Sequence, residues 1–428
     1  MNCNEAIEYI HSVPRFPKKT NLLRITALMA RLGNPQEKLN FVHIAGTNGK
    51  GSTAAMTADV LSASGYRTGL FTSPYLEHFR ERFQIDRVPI APERLAALTE
   101  RVKGAADRMT ADSLPHPNEF ELVTAVAMLF FLEEGCDYVV LEVGLGGRFD
   151  ATNVIPPPLA AAITEISYDH TGILGSTLYE IAGEKAGILK TGSRAVLSPG
   201  QAPEAAERIR AICRERGVPL VEPDTGACRI TARGDFGSRF LYRGEAYELP
   251  LLGSHQVRNA LTVIEILNLL RQAGVTIPQE AARRAIARVK WPGRMELLRR
   301  APDVLLDAAH NPGGIDALCR ALSEHFPGKR QVTVMGMMRD KDYESCITEM
   351  ALRSRLFIAT EPPEPGRALC ACDAAEVAAR SAGETVCEAS LRAAVSMGLA
   401  AVRKDELLVV CGSIPLIGEA RTFLGPSE

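Results

Sequence analysis

Short apolar runs rich in β-branched residues alternate with longer segments of helical periodicity along the first half of the chain. The runs "LNFVHIAG", "TGLFTS", "YVVLEV" and "LAAAITEI" are typical of buried strands. An alanine-rich segment and a helical pattern near residues 118–134 lie between them. Because strands that alternate with helices build βαβ units, the pattern predicts an α/β fold with a mostly parallel sheet.

A second series of alternating strands and helices follows residue 300. Its predicted strands are residues 304–307, 331–335, 356–360 and 407–411. The segment "WPGRME", residues 291–296, separates the two series and holds the only tryptophan. We therefore predict one domain over residues 1–293, a smaller Rossmann-like α/β domain over residues 297–428, and a hinge near residues 291–296. Residues 229–253 alternate polar and apolar positions and predict antiparallel hairpins at the edge of the first domain.

The composition is that of an ordinary globular protein, with 46% hydrophobic and 23% charged residues among 428 and a net charge of -2. No long block of basic residues offers a grip on nucleic acid. The most apolar stretch, residues 123–132, is shorter than the ~18 residues of a membrane helix, and the N-terminus lacks a signal-peptide pattern. We expect a cytoplasmic monomer that binds neither nucleic acid nor membrane.

Ten cysteines are scattered along the chain. Only Cys370 and Cys372 stand close together, and neither a second pair nor histidines at metal-ligand spacing accompany them. We interpret the cysteines as reduced thiols.

The stretch "HIAGTNGKGSTAA" has the features of a phosphate-binding loop with unusual spacing. Compared with G-x-x-x-x-G-K-[ST], only two residues separate Gly46 from Gly49, and Gly51 lies between Lys50 and Ser52. A strand, a glycine-rich turn and a following helix form the context in which backbone N–H groups bind phosphate. We therefore predict a P-loop mononucleotide-binding domain, and favour it over a merely flexible turn.

A nucleoside triphosphate site also needs Mg²⁺, which prefers hard oxygen ligands. Three predicted strands end at candidate ligands: Ser73, Glu142 and His170, the last beside Asp169. Glu142 carries the most weight, because a lone carboxylate in a buried strand needs a compensating partner. The alternatives are an ion pair of Glu142 with Arg148, an ordinary turn hydroxyl for Ser73 and a structural histidine for His170.

With these residues placed, a resemblance covers nearly the whole chain. The sequence resembles folylpolyglutamate synthase and the bifunctional dihydrofolate synthase/folylpolyglutamate synthase, members of the wider Mur ligase superfamily. The motifs that carry it are "HIAGTNGKGST", "FTSPYLEHFRERF", "NEFELVTAVA", "LEVGLGGRFDATN", "YDHTGILGSTLYEIAGEKAGILK", "LLGSHQVRNA", "WPGRME", "LDAAHNP", "MRDKD" and "VVCGSIPLIGE". The shortened loop is thus similar to that of ATP-dependent amide ligases.

The resemblance implies roles for individual positions. It implies an ATP loop at Gly49, Lys50, Gly51 and Ser52, further ATP contacts at Asn259, Arg294 and Asp307, and two Mg²⁺ sites with the ligands Ser73, Glu142 and His170. It also implies that Lys185 is carbamylated and that Lys50, Lys185 and His310 take part in catalysis. A pterin pocket is implied at Asn118, Glu119, Phe120, Glu121, Phe149, Asp150 and Ala151. From its sequence context alone, Lys185 would be interpreted as a surface ion pair.

The implied reaction transfers the ATP γ-phosphoryl group to a carboxylate, and the amine of L-glutamate then attacks the acyl phosphate. The first substrate is dihydropteroate, a reduced folate, or both. Two positions depart from the family pattern: Tyr75 replaces a common histidine, and Pro415 replaces a frequent aromatic residue. We expect both domains to contribute to the active site, with "WPGR" as the hinge.

Three other interpretations fit less well. A cell-wall Mur ligase is expected to carry a separate N-terminal domain of ~100 residues, and the loop at residue 46 leaves no room for one. A plain P-loop kinase or NTPase predicts the longer loop and leaves the second domain unexplained. A non-catalytic nucleotide-binding module gives no reason for Glu142, His170 and His310 to occur together.

Overall fold

The computed structural model describes residues 1–14 and 21–425 and forms two compact units. The first unit comprises Met1–Ile166, Thr171–Thr225 and Arg258–Ile286. The second comprises Ser167–His170, Gly226–Val257 and Ala287–Glu428. The chain therefore passes between the units several times, and the hinge near residues 291–296 stays a prediction.

A mixed, mostly parallel sheet of eight strands forms the centre of the first unit. Its order is β4-β3-β2-β5-β1-β6-β7-β8, and only β3 and β4 run antiparallel to their neighbours. The strands are β1 (Phe41–Ala45), β2 (Thr68–Phe71), β3 (Phe83–Ile85), β4 (Val88–Pro89), β5 (Tyr138–Glu142), β6 (Ala160–Ile163), β7 (Ala195–Leu197) and β8 (Leu220–Val221). The predicted α/β class with a mostly parallel sheet is confirmed.

The helices assigned to this part of the fold are α1 (Cys3–His11), α2 (Leu23–Arg31), α3 (Lys50–Ala63), α4 (Pro92–Ala111), α5 (Glu119–Glu133), α6 (Thr171–Leu174), α7 (Leu178–Lys185), α8 (Pro203–Arg216), α9 (Ser254–Gln272) and α10 (Gln279–Ile286). Short 3₁₀ turns span Pro35–Lys38, Phe79–Arg82, Ala151–Val154, Ala186–Ile188 and Thr225–Ala227. Helix α3 packs between the sheet and α10, and its alanines permit this close burial. Among the residues that the structure describes, no helix is long and apolar enough to cross a bilayer.

A six-stranded sheet with the order β12-β13-β17-β14-β15-β16 forms the core of the second unit. Its strands are β12 (Glu296–Arg299), β13 (Asp303–Asp307), β14 (Gln331–Met335), β15 (Ser354–Ala359), β16 (Glu384–Cys387) and β17 (Leu407–Cys411). Its helices are α11 (Pro312–His325), α12 (Tyr343–Ala351), α13 (Ala371–Ala378), α14 (Leu391–Ala401) and α15 (Ile414–Leu424). Only β12 is antiparallel to its neighbour. Pro415 lies in the first turn of α15, where a missing N–H costs nothing.

Residues 229–253 form the predicted hairpins, but not where they were expected. The strands β9 (Cys228–Gly234), β10 (Gly237–Tyr242) and β11 (Glu245–Leu249) build a three-stranded antiparallel sheet. This sheet packs on α11: the ring Nδ1 of His325 lies 2.7 Å from the carbonyl oxygen of Gly234. The expectation that the hairpins edge the first domain is therefore wrong, because they belong to the second unit.

Candidate active site

The glycine-rich loop (residues 46–52) connects β1 to α3 and has glycine where no side chain fits. Gly46 has a φ of +152°, and a Cβ there would lie 1.8 Å from Oγ1 of Thr164. Gly49 has a φ of +86°, and its Cβ would lie 2.5 Å from Oδ1 of Asn259. Only glycine satisfies both the backbone conformation and the space. The structure thus places Asn259, a predicted ATP contact, directly against the loop.

Two lysine side chains hold the backbone of the glycine-rich loop. Lys50 Nζ donates to the carbonyl oxygen of Thr47 at 3.0 Å, and Lys185 Nζ donates to that of Gly46 at 2.8 Å. Lys185 is 5% exposed, so it is not the surface residue that its sequence context suggests. Ser52 is also buried, in the first turn of α3. Two ammonium groups and the positive end of a helix dipole make this loop attractive to an anion.

Glu142 and Ser73 meet at the carboxyl ends of adjacent strands. Glu142 ends β5 and is paired in register with Ile44 of β1, two positions before Gly46. The Ser73 N–H donates to Oε2 of Glu142 at 3.1 Å. Arg148, the alternative partner proposed for Glu142, has its Nε 3.5 Å from Oε1 of Glu184. The sheet therefore brings two of the three predicted metal ligands together beside the glycine-rich loop.

Arg82 is a buried residue of this region that sequence reasoning missed. Its NH1 donates to Oγ of Ser73 at 3.0 Å, and its guanidinium lies 5.1 Å from the ring centroid of Tyr75 and 5.4 Å from that of Phe79. Tyr75, a departure from the family pattern, therefore contacts the residue that orients a predicted metal ligand. This arginine lies between two phenylalanines in the motif "FRERF", and that position was the sequence signal that could have identified it.

The structure tests whether these side chains suit a metal ion. Within residues 1–14 and 21–425, no group of three or more His, Cys, Asp or Glu side chains is arranged to hold a metal. Glu142 and Ser73 offer a buried carboxylate and a hydroxyl. This pair suits Mg²⁺, which usually takes one or two protein ligands and completes its shell with phosphate oxygens and water.

The first segment of the predicted pterin pocket starts helix α5. Asn118 and Glu121 form a capping box, in which each side chain accepts a hydrogen bond from the backbone N–H of the other. The carboxylate of Glu121 also lies 3.0 Å from Nε of Arg24. Phe120 fills the space next to Gly144, where a Cβ would lie 2.5 Å from its ring. Glu119 lies 3.6 Å from Nδ1 of His11.

The second segment of that pocket follows β5 and rests on a buried polar network. Asp150 accepts hydrogen bonds from the N–H of Leu145 and from the hydroxyl of Thr152, and burial raises its pKa. Thr152 in turn lies 2.9 Å from Nε2 of His43, whose pKa burial lowers to about 3. This network orients residues 145–152, with Ala151 buried and Phe149 exposed. Sequence reasoning missed His43 because it stands in an apolar strand.

Asp307 ends the strand β13 of the second unit and is 6% exposed. Its carboxylate accepts from the N–H of Met295 at 2.8 Å and from that of Ala309 at 2.7 Å. Burial raises its pKa despite the nearby positive charge of Arg294. The segment that carries Arg294 is thus anchored on the end of β13, which brings two predicted ATP contacts together within one unit.

A cluster around Asp169 (Asp169, His170, His310, Asn311 and Lys341) forms the main charged site of the second unit. Lys341 Nζ lies 2.5 Å from Oδ1 of Asp169, Asn311 Nδ2 donates to Oδ2 at 3.2 Å, and His310 Nε2 lies 3.7 Å from Oδ2. Although burial favours the neutral acid, the nearby ring of His310 and the positive charge of Lys341 hold the pKa of Asp169 well below its usual range. The carboxylate is therefore ionised and orients three neighbours.

The histidines of this cluster have defined ring orientations. Nδ1 of His310 lies 2.8 Å from the carbonyl oxygen of Ala308, which can only accept, so that nitrogen carries a proton. Nε2 of His170 lies 3.3 Å from Nζ of Lys341, so it accepts from the ammonium group. The backbone of His170 has a φ of +51°, a left-handed conformation that is uncommon for residues other than glycine. Sequence reasoning gave no role to Lys341 and Asn311, although both lie in quoted motifs, "MRDKD" and "DAAHNP".

Comparison with known proteins covers both units. Residues 44–267 match the Mur ligase middle domain, and residues 293–414 match the Mur ligase glutamate ligase domain. A dihydrofolate synthase/folylpolyglutamate synthase of Bacillus subtilis is 36% identical over 431 residues, which is 98% of this chain and 98% of the relative.

Two solved structures share the fold over their full length. The folylpolyglutamate synthase of Mycobacterium tuberculosis, complexed with ADP and AMPPCP, is 32% identical with a TM-score of 0.89, and the match covers 99% of this chain and 98% of that one. FolC of E. coli, in complex with DHPP and ADP, is 27% identical with a TM-score of 0.86, and the match covers 98% and 97% of the two chains. The predicted resemblance is confirmed.

Proposed function

The chain belongs to the Mur ligase family, among the folylpolyglutamate synthases and dihydrofolate synthases, and we infer that its function is theirs. The protein is an ATP-dependent ligase that adds glutamate to folates. We further propose that it accepts both dihydropteroate and reduced folates. The similarity to the Bacillus subtilis relative, which is named as both a dihydrofolate synthase and a folylpolyglutamate synthase, supports the use of both substrates.

The observation that carries the proposed site is the glycine-rich loop at the start of α3, with the Lys50 ammonium group hydrogen-bonded to its backbone. We propose that Gly49, Lys50, Gly51 and Ser52 bind the ATP phosphates. Lys50 is 3.0 Å from a carbonyl oxygen of the loop, so its ammonium group is held beside the N–H groups at the start of α3. Asn259, packed against Gly49, would fix the shape of the loop around the nucleotide.

We propose that Glu142 and Ser73 hold Mg²⁺ together with phosphate oxygens of ATP. The bound ion would neutralise phosphate charge and favour departure of the γ-phosphoryl group. His170 was predicted as a further ligand, but its Nε2 accepts from Lys341 here. It would bind a cation through that nitrogen only after Lys341 moves away, so its part in a second Mg²⁺ site needs a local rearrangement.

We propose that Lys185 carries a carbamate in the working enzyme. Its amine is buried and lies at the glycine-rich loop, where addition of carbon dioxide would replace a cation by an anion. The carbamate N–H would still be able to donate to the Gly46 carbonyl oxygen. Lys185→Ala should be nearly inactive and regain part of its turnover with added short carboxylic acids. Full activity of the unsubstituted enzyme in carbon-dioxide-depleted buffer would contradict the carbamate.

In the second unit, we propose that Arg294 and Asp307 bind ATP and that His310 acts near the reacting groups. Asp307 fixes the backbone of residue 295, so it positions Arg294 as well. His310 is held by Ala308 and by the Asp169 carboxylate, which gives its ring one orientation. Asp169 and Lys341 act as positioning residues for this histidine.

The reaction follows from these parts. The γ-phosphoryl group passes to the folate carboxylate, and Lys50 and Arg294 balance the negative charge of the phosphates. The amine of L-glutamate attacks the acyl phosphate and releases phosphate, and no protein nucleophile is needed. We propose that Asn118 to Glu121 and Phe149 to Ala151 flank the pterin. Among these residues, Phe149 has an exposed aromatic ring that could contact the pterin. The side chains of Asn118, Glu121 and Asp150 instead hydrogen-bond to backbone N–H groups.

The test measures ADP release with Mg²⁺, comparing dihydropteroate, dihydrofolate and tetrahydrofolate with and without L-glutamate. We expect glutamate-dependent ADP release with dihydropteroate and with at least one reduced folate. Turnover with reduced folates alone would contradict the proposed breadth. ADP release that is independent of both folate and glutamate would indicate a simple NTPase.

We also propose a cytoplasmic location. The cysteines are free thiols, which is the state expected in a reducing compartment. The monomeric state stays a prediction.

A further inference from the structure

Three exposed cysteines lie close together in the second unit. Cys370 directly precedes α13, Cys372 lies in the first turn of α13, and Cys387 ends β16. The Sγ atoms of Cys372 and Cys387 are 2.6 Å apart, although the two residues are 15 positions apart in the chain. The sulfurs of a disulfide are about 2.05 Å apart, so the two thiols already lie within about 0.6 Å of the bonded distance.

We propose that Cys372 and Cys387 form a reversible disulfide, a modification site that exchanges with low-molecular-weight disulfides. The site lies on α13 and the edge strand β16 and is independent of the proposed ligase reaction. Both thiols are exposed, so a small disulfide can reach them. The paired "CAC" cysteines thereby receive a role that the ligase reaction does not provide.

The exchange is chemically balanced. One sulfur of the pair, as a thiolate, attacks a sulfur of the small disulfide and expels one small thiolate. The second protein thiolate then attacks the mixed disulfide and expels the other half. Two protein thiols are oxidised to a disulfide, one small disulfide is reduced to two small thiols, and the two protons pass to the expelled thiolates or to water.

The neighbouring thiol affects the rate of this exchange. The hydrogen bond with Cys387 and the negative charge of its thiolate raise the pKa of Cys372 to about 11. Because the thiolate is the nucleophile, attack by Cys372 should be slow near neutral pH and faster as the pH rises.

The cross-link would restrain an edge of the six-stranded sheet. The disulfide would close a covalent loop of chain that contains the rest of α13, the turn at Arg380 and β16. β16 is the last strand of the sheet and pairs only with β15 among the described strands. Joining it to α13 would reduce fraying of an edge that otherwise offers unpaired backbone groups.

Peptide mapping of the full-length protein tests the proposal. Trypsin cleavage after residues 367, 380 and 392 gives one peptide with Cys370 and Cys372 and another with Cys387. The protein is incubated with mixtures of reduced and oxidised glutathione, its remaining thiols are alkylated, and it is digested without reductant. We expect a joined peptide 368–380/381–392 that increases with the oxidised fraction and is separated by dithiothreitol.

Matched variants identify the sulfurs. Cys370→Ser should form the joined peptide as the unsubstituted protein does, whereas Cys372→Ser should not. The double variant Cys370→Ser/Cys387→Ser should retain one glutathione on peptide 368–380, because both neighbouring thiols that could resolve the mixed disulfide are missing. The proposal is overturned if no joined peptide forms in the most oxidising mixture, or if it forms equally in Cys372→Ser, which would make Cys370 the partner. Circular dichroism checks that each variant is folded.

Discussion

At the scale of single residues, two carboxylates with little solvent exposure are stabilised in different ways. Glu142 is 5% exposed and accepts a backbone N–H from Ser73. Asp169 has a full cationic partner in Lys341 and an amide donor in Asn311. Asp169 is held by groups of the protein itself, whereas Glu142 lies beside the glycine-rich loop, where a carboxylate suits a cation that arrives with the nucleotide. The roles of Glu142 and Asp169 are therefore tested by separate substitutions.

Glu142→Gln should lower turnover by at least ~100-fold, because the amide keeps the shape but removes the charge that would balance Mg²⁺. ADP release at saturating ATP and glutamate, measured over a range of Mg²⁺ concentrations, checks this. Glu204→Gln, at an exposed position in the first turn of α8, is the matched control and should leave turnover unchanged. Near-normal turnover of Glu142→Gln at high Mg²⁺ would refute the metal assignment.

Asp169→Asn keeps the size of the side chain but removes the anion that is paired with the largely enclosed ammonium group of Lys341. We expect kcat to fall by ~10-fold or more, since a buried charge that loses its partner shifts or disorders its surroundings. Asp340→Asn is the control: it removes a half-exposed carboxylate that is next to Lys341 in the chain and paired with Arg367, and it should have little effect. Equal kcat values for the two variants would exclude a positioning role for Asp169.

The same substitution has a defined effect on the pH dependence of stability. The pKa of Asp169 is lowered in the fold, so its contribution is present above the unfolded-state value of about 3.9 and is lost as the pH falls toward the folded value. Urea unfolding from pH 7 down to pH 3 should therefore show a smaller loss of stability for Asp169→Asn than for the unsubstituted protein. An identical slope would contradict the lowered pKa.

At the scale of elements, the glycine-rich loop depends on two close approaches of its backbone. Gly46→Ala would place a Cβ 1.8 Å from Oγ1 of Thr164, so the loop must move and ATP binding should weaken at least ~10-fold. Gly65→Ala is the control, because Gly65 also has a positive φ, +92°, but nothing lies within 4 Å of its Cβ. It should cost about 1 kcal/mol of stability without changing the ATP Kd in calorimetry. Unchanged ATP affinity of Gly46→Ala would show that the loop does not bind phosphate.

The elements that sequence predicted best are those whose burial is complete. β14 and β17 begin and end at the predicted residues, and α5 spans all but the two ends of its predicted segment. β16 and β12 were missed: β16 is a partly polar edge strand, and β12 is a short strand next to the turn at Gly293. A continuous apolar run marks a strand that the sheet buries on both faces, and a short or partly polar edge strand lacks this signal. The packing of β9–β11 on α11 depends on distant residues such as His325, so no local pattern could reveal it.

At the scale of the whole molecule, the order of the strands accounts for the position of two predicted metal ligands, because Glu142 ends β5 and Ser73 follows β2. Parallel strands end at one edge of their sheet, so Ser73 and Glu142 were expected to be near the glycine-rich loop from their order alone. The Asp169 cluster was harder to predict: residues 167–170 leave the first unit and join the second, although the chain before and after them belongs to the first. Connectivity of this kind follows from tertiary packing and has no signature in a single sequence.

The division of the proposed site residues between the units predicts separable defects. The glycine-rich loop belongs to the first unit and His310 to the second. Lys50→Ala removes a phosphate contact and should raise the Kd of ATP at least ~10-fold, the scale of one charge-assisted contact. His310→Ala should change that Kd less than about two-fold, because the loop and its lysines are untouched, yet lower glutamate-dependent turnover by ~100-fold or more. Calorimetry with ATP and the ADP-release assay on the same preparations separate the two effects. Two outcomes would contradict this proposal: His310→Ala weakens ATP binding as much as Lys50→Ala does, or His310→Ala retains its turnover. In either case His310 has no separate role in the transfer to glutamate, and the roles assigned to the residues of the two units are wrong.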